Sequence, residues 1–115
     1  DLGDTWVYDL SENNWTEIIT DSKPPARNLP VFCHIGNNKA LLFGGWSDEL
    51  YYLGDTWIFD YNTISWTEVV SEQSPSARDR ASGAYTGDNK VLLYSGYPSP
   101  KGYCADSWIF DLNTM

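Results

Sequence analysis

Gly54-Asp55-Thr56-Trp57-Ile58-Phe59-Asp60 decides the fold, because the phrase is written twice more in the same chain. It stands earlier as Gly3-Asp4-Thr5-Trp6-Val7-Tyr8-Asp9 and later as Ala105-Asp106-Ser107-Trp108-Ile109-Phe110-Asp111. Its tryptophan falls at 6, 57 and 108, so both intervals are 51 residues (57 − 6 and 108 − 57). A phrase returning at one fixed interval of this length marks a repeat architecture. Its β-branched and aromatic centre, closed by an aspartate that can start a turn, reads as a short strand. Thr56 to Phe59 does not alternate polar with apolar, which predicts that both faces of this strand are covered.

Working outward, a shift of 51 leaves 64 overlapping positions (115 − 51), of which 26 carry identical residues. The shared features keep one order. A polar turn leads to Trp15-Thr16-Glu17-Ile18, repeated as Trp66-Thr67-Glu68-Val69; its alternation predicts a half-exposed edge strand. A link follows, Pro24-Pro25-Ala26-Arg27 or Pro75-Ser76-Ala77-Arg78. Pro30 to Ile35 or Ala81 to Thr86 is then a strand of mixed or small residues. A short turn brings in the apolar strand Ala40-Leu41-Leu42-Phe43 or Val91-Leu92-Leu93-Tyr94. Glycines Gly44 and Gly45, with Gly96 in the next copy, permit a bend or a close approach there. A variable loop of roughly nine residues returns to the opening phrase. Each period therefore holds four strands, A (30–35), B (40–44), C (55–60) and D (65–69), joined by links short enough for an antiparallel meander. No helix is predicted.

Composition narrows the function. The chain has 115 residues, 16% of them aromatic with six tryptophans, so large flat side chains dominate its packing. A net charge of −9 argues against a phosphate-binding surface on this stretch, so no nucleic-acid partner is expected. No apolar run approaches the roughly 18 residues of a membrane helix, and no membrane partner is expected. Cys33 and Cys104 occupy different repeat positions and are expected as buried thiols that never meet. The sequon Asn14-Trp15-Thr16 keeps a secreted protein open beside an intracellular one.

Taken together, the glycine pair after an apolar strand, the Trp-aromatic-Asp strand, the second tryptophan and the Pro-x-Ala-Arg link resemble the kelch repeat. That repeat is about fifty residues long, and the resemblance covers essentially the whole chain; Ser95-Gly96 is its one departure. The resemblance implies an all-β fold, a propeller of four-stranded antiparallel blades. Residues 1–20 then supply strands C and D of a first blade, 26–70 a complete blade, and 77–115 strands A, B and C of a third. Trp6, Trp57, Trp108, Trp15, Trp66, Arg27, Arg78, Gly44, Gly45 and Gly96 are its structural repeat positions. Bare blade faces predict a longer parent, with about five to seven blades, and poor folding of this stretch alone.

No catalytic or metal constellation stands out, and no cofactor is implied. His34 is the only histidine, expected as a hydrogen-bonded interior or channel-facing residue. Some propellers similar to kelch proteins are copper oxidases with a tyrosine–cysteine cofactor and two histidine ligands. Tyr103-Cys104 invites the comparison, which one histidine does not meet. Residues repeated in every copy serve the fold, and function belongs where the copies disagree. The B–C loops and the D–A links differ, and in a meander both emerge on one face. Arg80, Asn28, Trp46, Asp48, Glu49, Tyr51, Tyr97 and Lys101 are therefore the candidate partner-binding residues. Arg80 replaces Leu29 of the preceding copy, whereas Arg78 recurs as Arg27. Arg80→Ala is accordingly expected to damage binding and Arg78→Ala to damage the fold. The leading expectation is a module that presents these loops to a protein partner. The alternatives are part of a propeller enzyme whose active residues lie mostly in blades outside this stretch, and an extracellular recognition propeller.

Overall fold

A computed structural model describes residues 1–97 and 102–115. Its strands are β1 (Thr5–Asp9), β2 (Asn14–Ile18), β3 (Val31–His34), β4 (Lys39–Ser47), β5 (Tyr51–Asp60), β6 (Ser65–Val69), β7 (Ser82–Gly87), β8 (Lys90–Tyr94) and β9 (Ser107–Asp111). They form three antiparallel sheets in sequence order: β1–β2, β3–β4–β5–β6 and β7–β8–β9. Among the described residues there is no helix. The four-strand meander expected over 30–69 is the middle sheet.

The middle sheet is covered on both sides, and the two sides hold different residues because side chains alternate along a strand. Leu42, Trp57, Phe59 and Trp66 face the first sheet, where Ile18 packs against them. Val31, Leu41, Phe43 and Ile58 face the third sheet and meet Val91, Leu93, Trp108 and Phe110. This two-sided burial explains why Thr56–Phe59 does not alternate. The innermost strands β3 and β7 lie against each other. A Cβ on Gly83 would run into the Val31 side chain, so the small residues of β7 answer the crowding there.

Burial follows the neighbours rather than the sequence position. Trp57 is 7% exposed, whereas its equivalent Trp6 is 48% exposed on the uncovered side of the first sheet. Trp108, packed against the middle sheet, is partly buried. The outer strand is the expected half-exposed edge, with Thr67 and Glu68 exposed. Its tryptophan, however, is only 8% exposed, while Trp15, followed by the same Thr-Glu, is 64% exposed. The difference is a neighbour. Trp66 donates its indole N–H to Thr5 of the first sheet at 3.1 Å and packs on Phe59 with ring centroids 5.1 Å apart.

The glycine pair marks a bulge inside strand β4, where the sequence reading ended strand B. Gly44 and Gly45 take φ of +65° and +110°, and pairing resumes beyond them as Gly45 with Leu53, Trp46 with Tyr52 and Ser47 with Tyr51. Much of the expected loop is thus a hairpin extension. The bulge also admits the next link: a Cβ on Gly44 would lie 2.6 Å from the Arg78 carbonyl oxygen. Ser95 takes φ +66° at the equivalent place, so the bend is kept without the glycine.

Two arginines lock successive units. The Arg78 backbone bonds to the middle sheet, donating to Leu53 O at 3.0 Å and accepting from Gly45 N at 2.8 Å. Its side chain turns to the third sheet, donating to Asp106 at 2.7 and 2.9 Å and to Ser95 O at 3.0 Å. Arg27 repeats this one copy earlier, with Asp55 at 2.7 Å on both arms and Gly44 O at 3.0 Å. A bidentate guanidinium fits a carboxylate in a way lysine does not.

These pairs set an acid limit. Burial pushes the Asp55 carboxyl up, but the Arg27 hydrogen bonds, with the Trp57 N–H at 2.7 Å, outweigh it and leave it below the usual carboxylate range. Arg78 hydrogen bonds hold Asp106 well below that range. A carboxyl depressed in the folded state contributes stability above its unfolded pKa of about 4 and loses it as pH falls toward the folded value. The melting temperature is expected to stay level from pH 7 to about 5 and to fall below about pH 4. A melt series in buffers of constant ionic strength checks this.

Candidate functional site

The two ends of the sheets differ in character. At one end lie the β3–β4, β5–β6 and β7–β8 turns with the segment after β9, and these turns repeat their chemistry. Asn38 donates to Asn62 at 3.2 Å, and Asn89 donates to Asn113 at 3.2 Å. Tyr61 N bonds to Asn38 O, and Leu112 N bonds to Asn89 O, both at 2.8 Å. Side chains that do the same job in each copy are scaffold.

The opposite end gathers the β4–β5 hairpin and the links that precede β3 and β7. Asn28 pairs with Trp46 through two backbone hydrogen bonds of 2.8 Å. Asp79 pairs with Tyr97 in the same way, at 2.8 and 3.3 Å. The links and the loops expected on one face thus meet there. Asp48 and Glu49 are exposed at the hairpin tip, where Ser47 Oγ accepts from Glu49 N and Leu50 N at 3.3 Å. Tyr51 closes the tip with φ +62°, a conformation that costs a bulky residue energy. Lys101 lies outside the described residues.

An aromatic row runs across this end. Trp46 meets Tyr51 at 5.5 Å and Tyr52 at 4.9 Å between ring centroids. Tyr52 reaches Tyr97 on the next unit at 6.1 Å, and Tyr97 reaches Tyr103 at 5.2 Å. The Arg80 guanidinium lies 5.8 Å over the Tyr97 ring, a cation–π distance. Arg80 stays half exposed, and its backbone at φ +56° repeats that of Leu29 at +53°. The turn therefore accepts either side chain, and the arginine is not set by the backbone. Beside it, Asp79 is 3% exposed, with Oδ1 lying 3.8 Å from Arg80 Nη1. Partial burial, then the Asp79 charge, pushes the Tyr52 phenol up.

Sequence reasoning missed Tyr52, Tyr103 and Asp79. The two tyrosines are one repeat apart and identical, so a search for differences passes over them. Asp79 was readable as a charged residue replacing Asn28. His34, expected as a hydrogen-bonded interior or channel-facing residue, is hydrogen-bonded and exposed on β3, its Nδ1 accepting from Gly36 N at 3.4 Å. Cys33 and Cys104 are free thiols, each partly buried where full burial was expected. Among the described residues, no group of three or more His, Cys, Asp or Glu side chains comes together to hold a metal. No helix among them is long and apolar enough to cross a membrane.

The all-β fold of antiparallel sheets agrees with what comparison with known proteins finds. The family described as the KLHDC2/KLHL20/DRC7 Kelch-repeats domain matches residues 1–115. The chain belongs to the kelch-repeat family. An F-box/kelch-repeat protein of Arabidopsis thaliana is 28% identical over 127 residues, covering 99% of this chain and 27% of the relative. Kelch domain-containing protein 2 of Bos taurus is 27% identical over 111 residues, covering 90% of this chain and 26% of its own length. The dynein alpha chain of the Chlamydomonas reinhardtii flagellar outer arm is 26% identical, with 95% of this chain matching 2% of that protein. The chain thus spans about a quarter of the two kelch relatives. Kelch repeats generally serve as protein-interaction modules and are typically not enzymes.

Proposed function

We propose that this kelch segment binds a protein partner on the end formed by the β4–β5 hairpin and the links before β3 and β7. The observation that carries the reading is the contrast between the two ends. One end repeats the same turn chemistry in each copy; the other breaks the repeat and holds a continuous aromatic row topped by a half-exposed arginine. Aromatic rings and arginine are the side chains that carry most binding energy at protein interfaces. Trp46, Tyr51, Tyr97 and Arg80 form its centre, with Asn28, Asp48 and Glu49 at its rim. Further copies of the repeat are proposed to cover the bare outer sides of the first and third sheets. Trp6, Trp15, Leu92, Tyr94 and Ile109 are exposed there, although their counterparts in the middle sheet are buried.

Arg80→Ala in the full-length protein tests the reading. Partner affinity is expected to fall by about 1–2 kcal/mol, while stability stays within about 0.5 kcal/mol of the parent. Affinity capture to identify the partner, titration with that purified partner and thermal melts give both numbers. Unchanged affinity, or stability lost as much as in Arg78→Ala, overturns the assignment.

A further inference from the structure

Positions 28 and 79 are one place in two successive copies, and they hold different chemistry. Asn28 is exposed, and its side-chain amide donates to the Asp1 carboxylate at 2.6 Å. Asp79 is buried, and its Oδ1 has no hydrogen-bond partner among the described residues. A carboxylate oxygen kept from water without a donor is costly, so such an oxygen asks for an explanation.

Among the described residues, the neighbouring Arg80 does not supply the donor. Arg80 Nη1 stands 3.8 Å from Oδ1, beyond hydrogen-bond range, with the guanidinium over Tyr97 instead. An acceptor and a donor thus stand side by side against a tyrosine ring, neither bonded to the other. A ligand with net charge is drawn to one member of such a pair and repelled by the other. A neutral group with a donor at one end and an acceptor at the other gains from both. The nitrogen and oxygen of a carboxamide are roughly 2.2 Å apart by ordinary amide dimensions, so two slightly divergent hydrogen bonds span the pair. Its flat face lies against the Tyr97 ring, beside which the Tyr52 ring stands with centroids 6.1 Å apart.

We propose that Asp79 and Arg80 together read a neutral carboxamide, the side chain of a glutamine or asparagine, on the protein partner. The proposal rests on the partner-binding reading of this end. On binding, Arg80 tilts off the covered Oδ1, which accepts from the amide NH2, while the guanidinium donates to the amide carbonyl.

The test uses the full-length protein and four pools of nonapeptides, randomised except for a central Gln, Glu, Lys or Met. The Gln pool is expected to bind at least about tenfold tighter than the Glu and Met pools. Asp79→Asn, which matches the chemistry of position 28, is expected to erase the preference for Gln over Glu without moving the melting temperature. Arg80→Ala is expected to weaken the Gln pool. A Glu preference lost in Arg80→Ala, or a Lys preference lost in Asp79→Asn, overturns the carboxamide and leaves the partner role standing. Equal binding of all four pools, or a preference for Gln over Glu that survives Asp79→Asn, overturns it too. Binding of no pool overturns both the carboxamide and the partner role.

Discussion

Trp57→Ala is expected to lower the stability of the full-length protein by about 3–5 kcal/mol. The indole is 7% exposed, and its N–H donates to Asp55 at 2.7 Å, on the carboxylate that Arg27 grips with both arms. Truncation empties a volume bounded by Leu42, Phe59 and Trp66 and removes one of the donors that hold Asp55 ionised. β5 is a central strand paired on both edges, so the backbone has little freedom to collapse into the space. Chemical denaturation of the full-length protein measures the loss. A cost below about 1 kcal/mol, the size of an ordinary surface change, would show that the sheets do not stack as described.

Arg78→Ala is expected to cost about 3 kcal/mol, the lower end for breaking one side of a buried pair. The lower end applies because the Asp106 side chain is 42% exposed, so water screens part of the orphaned charge. The remainder is unsatisfied backbone. The Ser95 and Ser76 carbonyl oxygens lose their guanidinium donors beside a residue that is 1% exposed. Arg78→Lys is expected to recover little, since a single ammonium cannot reproduce the fork on Asp106. Melts of Arg78→Ala and Arg78→Lys beside Arg80→Ala separate the scaffold arginine from the surface one. Full recovery in Arg78→Lys would argue that charge alone matters there.

The strands were legible because a repeat shows its scaffold several times over, and each copy corrects the reading of the others. Strand limits were less so. Gly44-Gly45 reads as a strand end in isolation, yet its φ values build a bulge that lets β4 run on to Ser47. That extension carries Trp46 and sets it against Tyr52, and no local pattern announces it. Trp66 and Trp15 are both followed by Thr-Glu and differ eightfold in exposure (8% against 64%). Alternation tells which side of a strand is apolar, but another sheet decides whether that side is covered. The site residues divide along the same line. Arg80 was visible because the preceding copy has Leu29; Tyr52 was hidden because its counterpart Tyr103 is also tyrosine. The isolation of Asp79 Oδ1 depends on where Tyr97 and Arg80 fall in space, which only the fold supplies.

Hydrogen exchange of the full-length protein with and without its captured partner tests the central claim most directly. The account predicts new protection at residues 46–52 and 79–80, on the aromatic end, and none at the turns 36–39, 61–64 and 87–90. Protection at those turns, with 46–52 and 79–80 exchanging as in the free protein, would place the partner on the opposite end and contradict it.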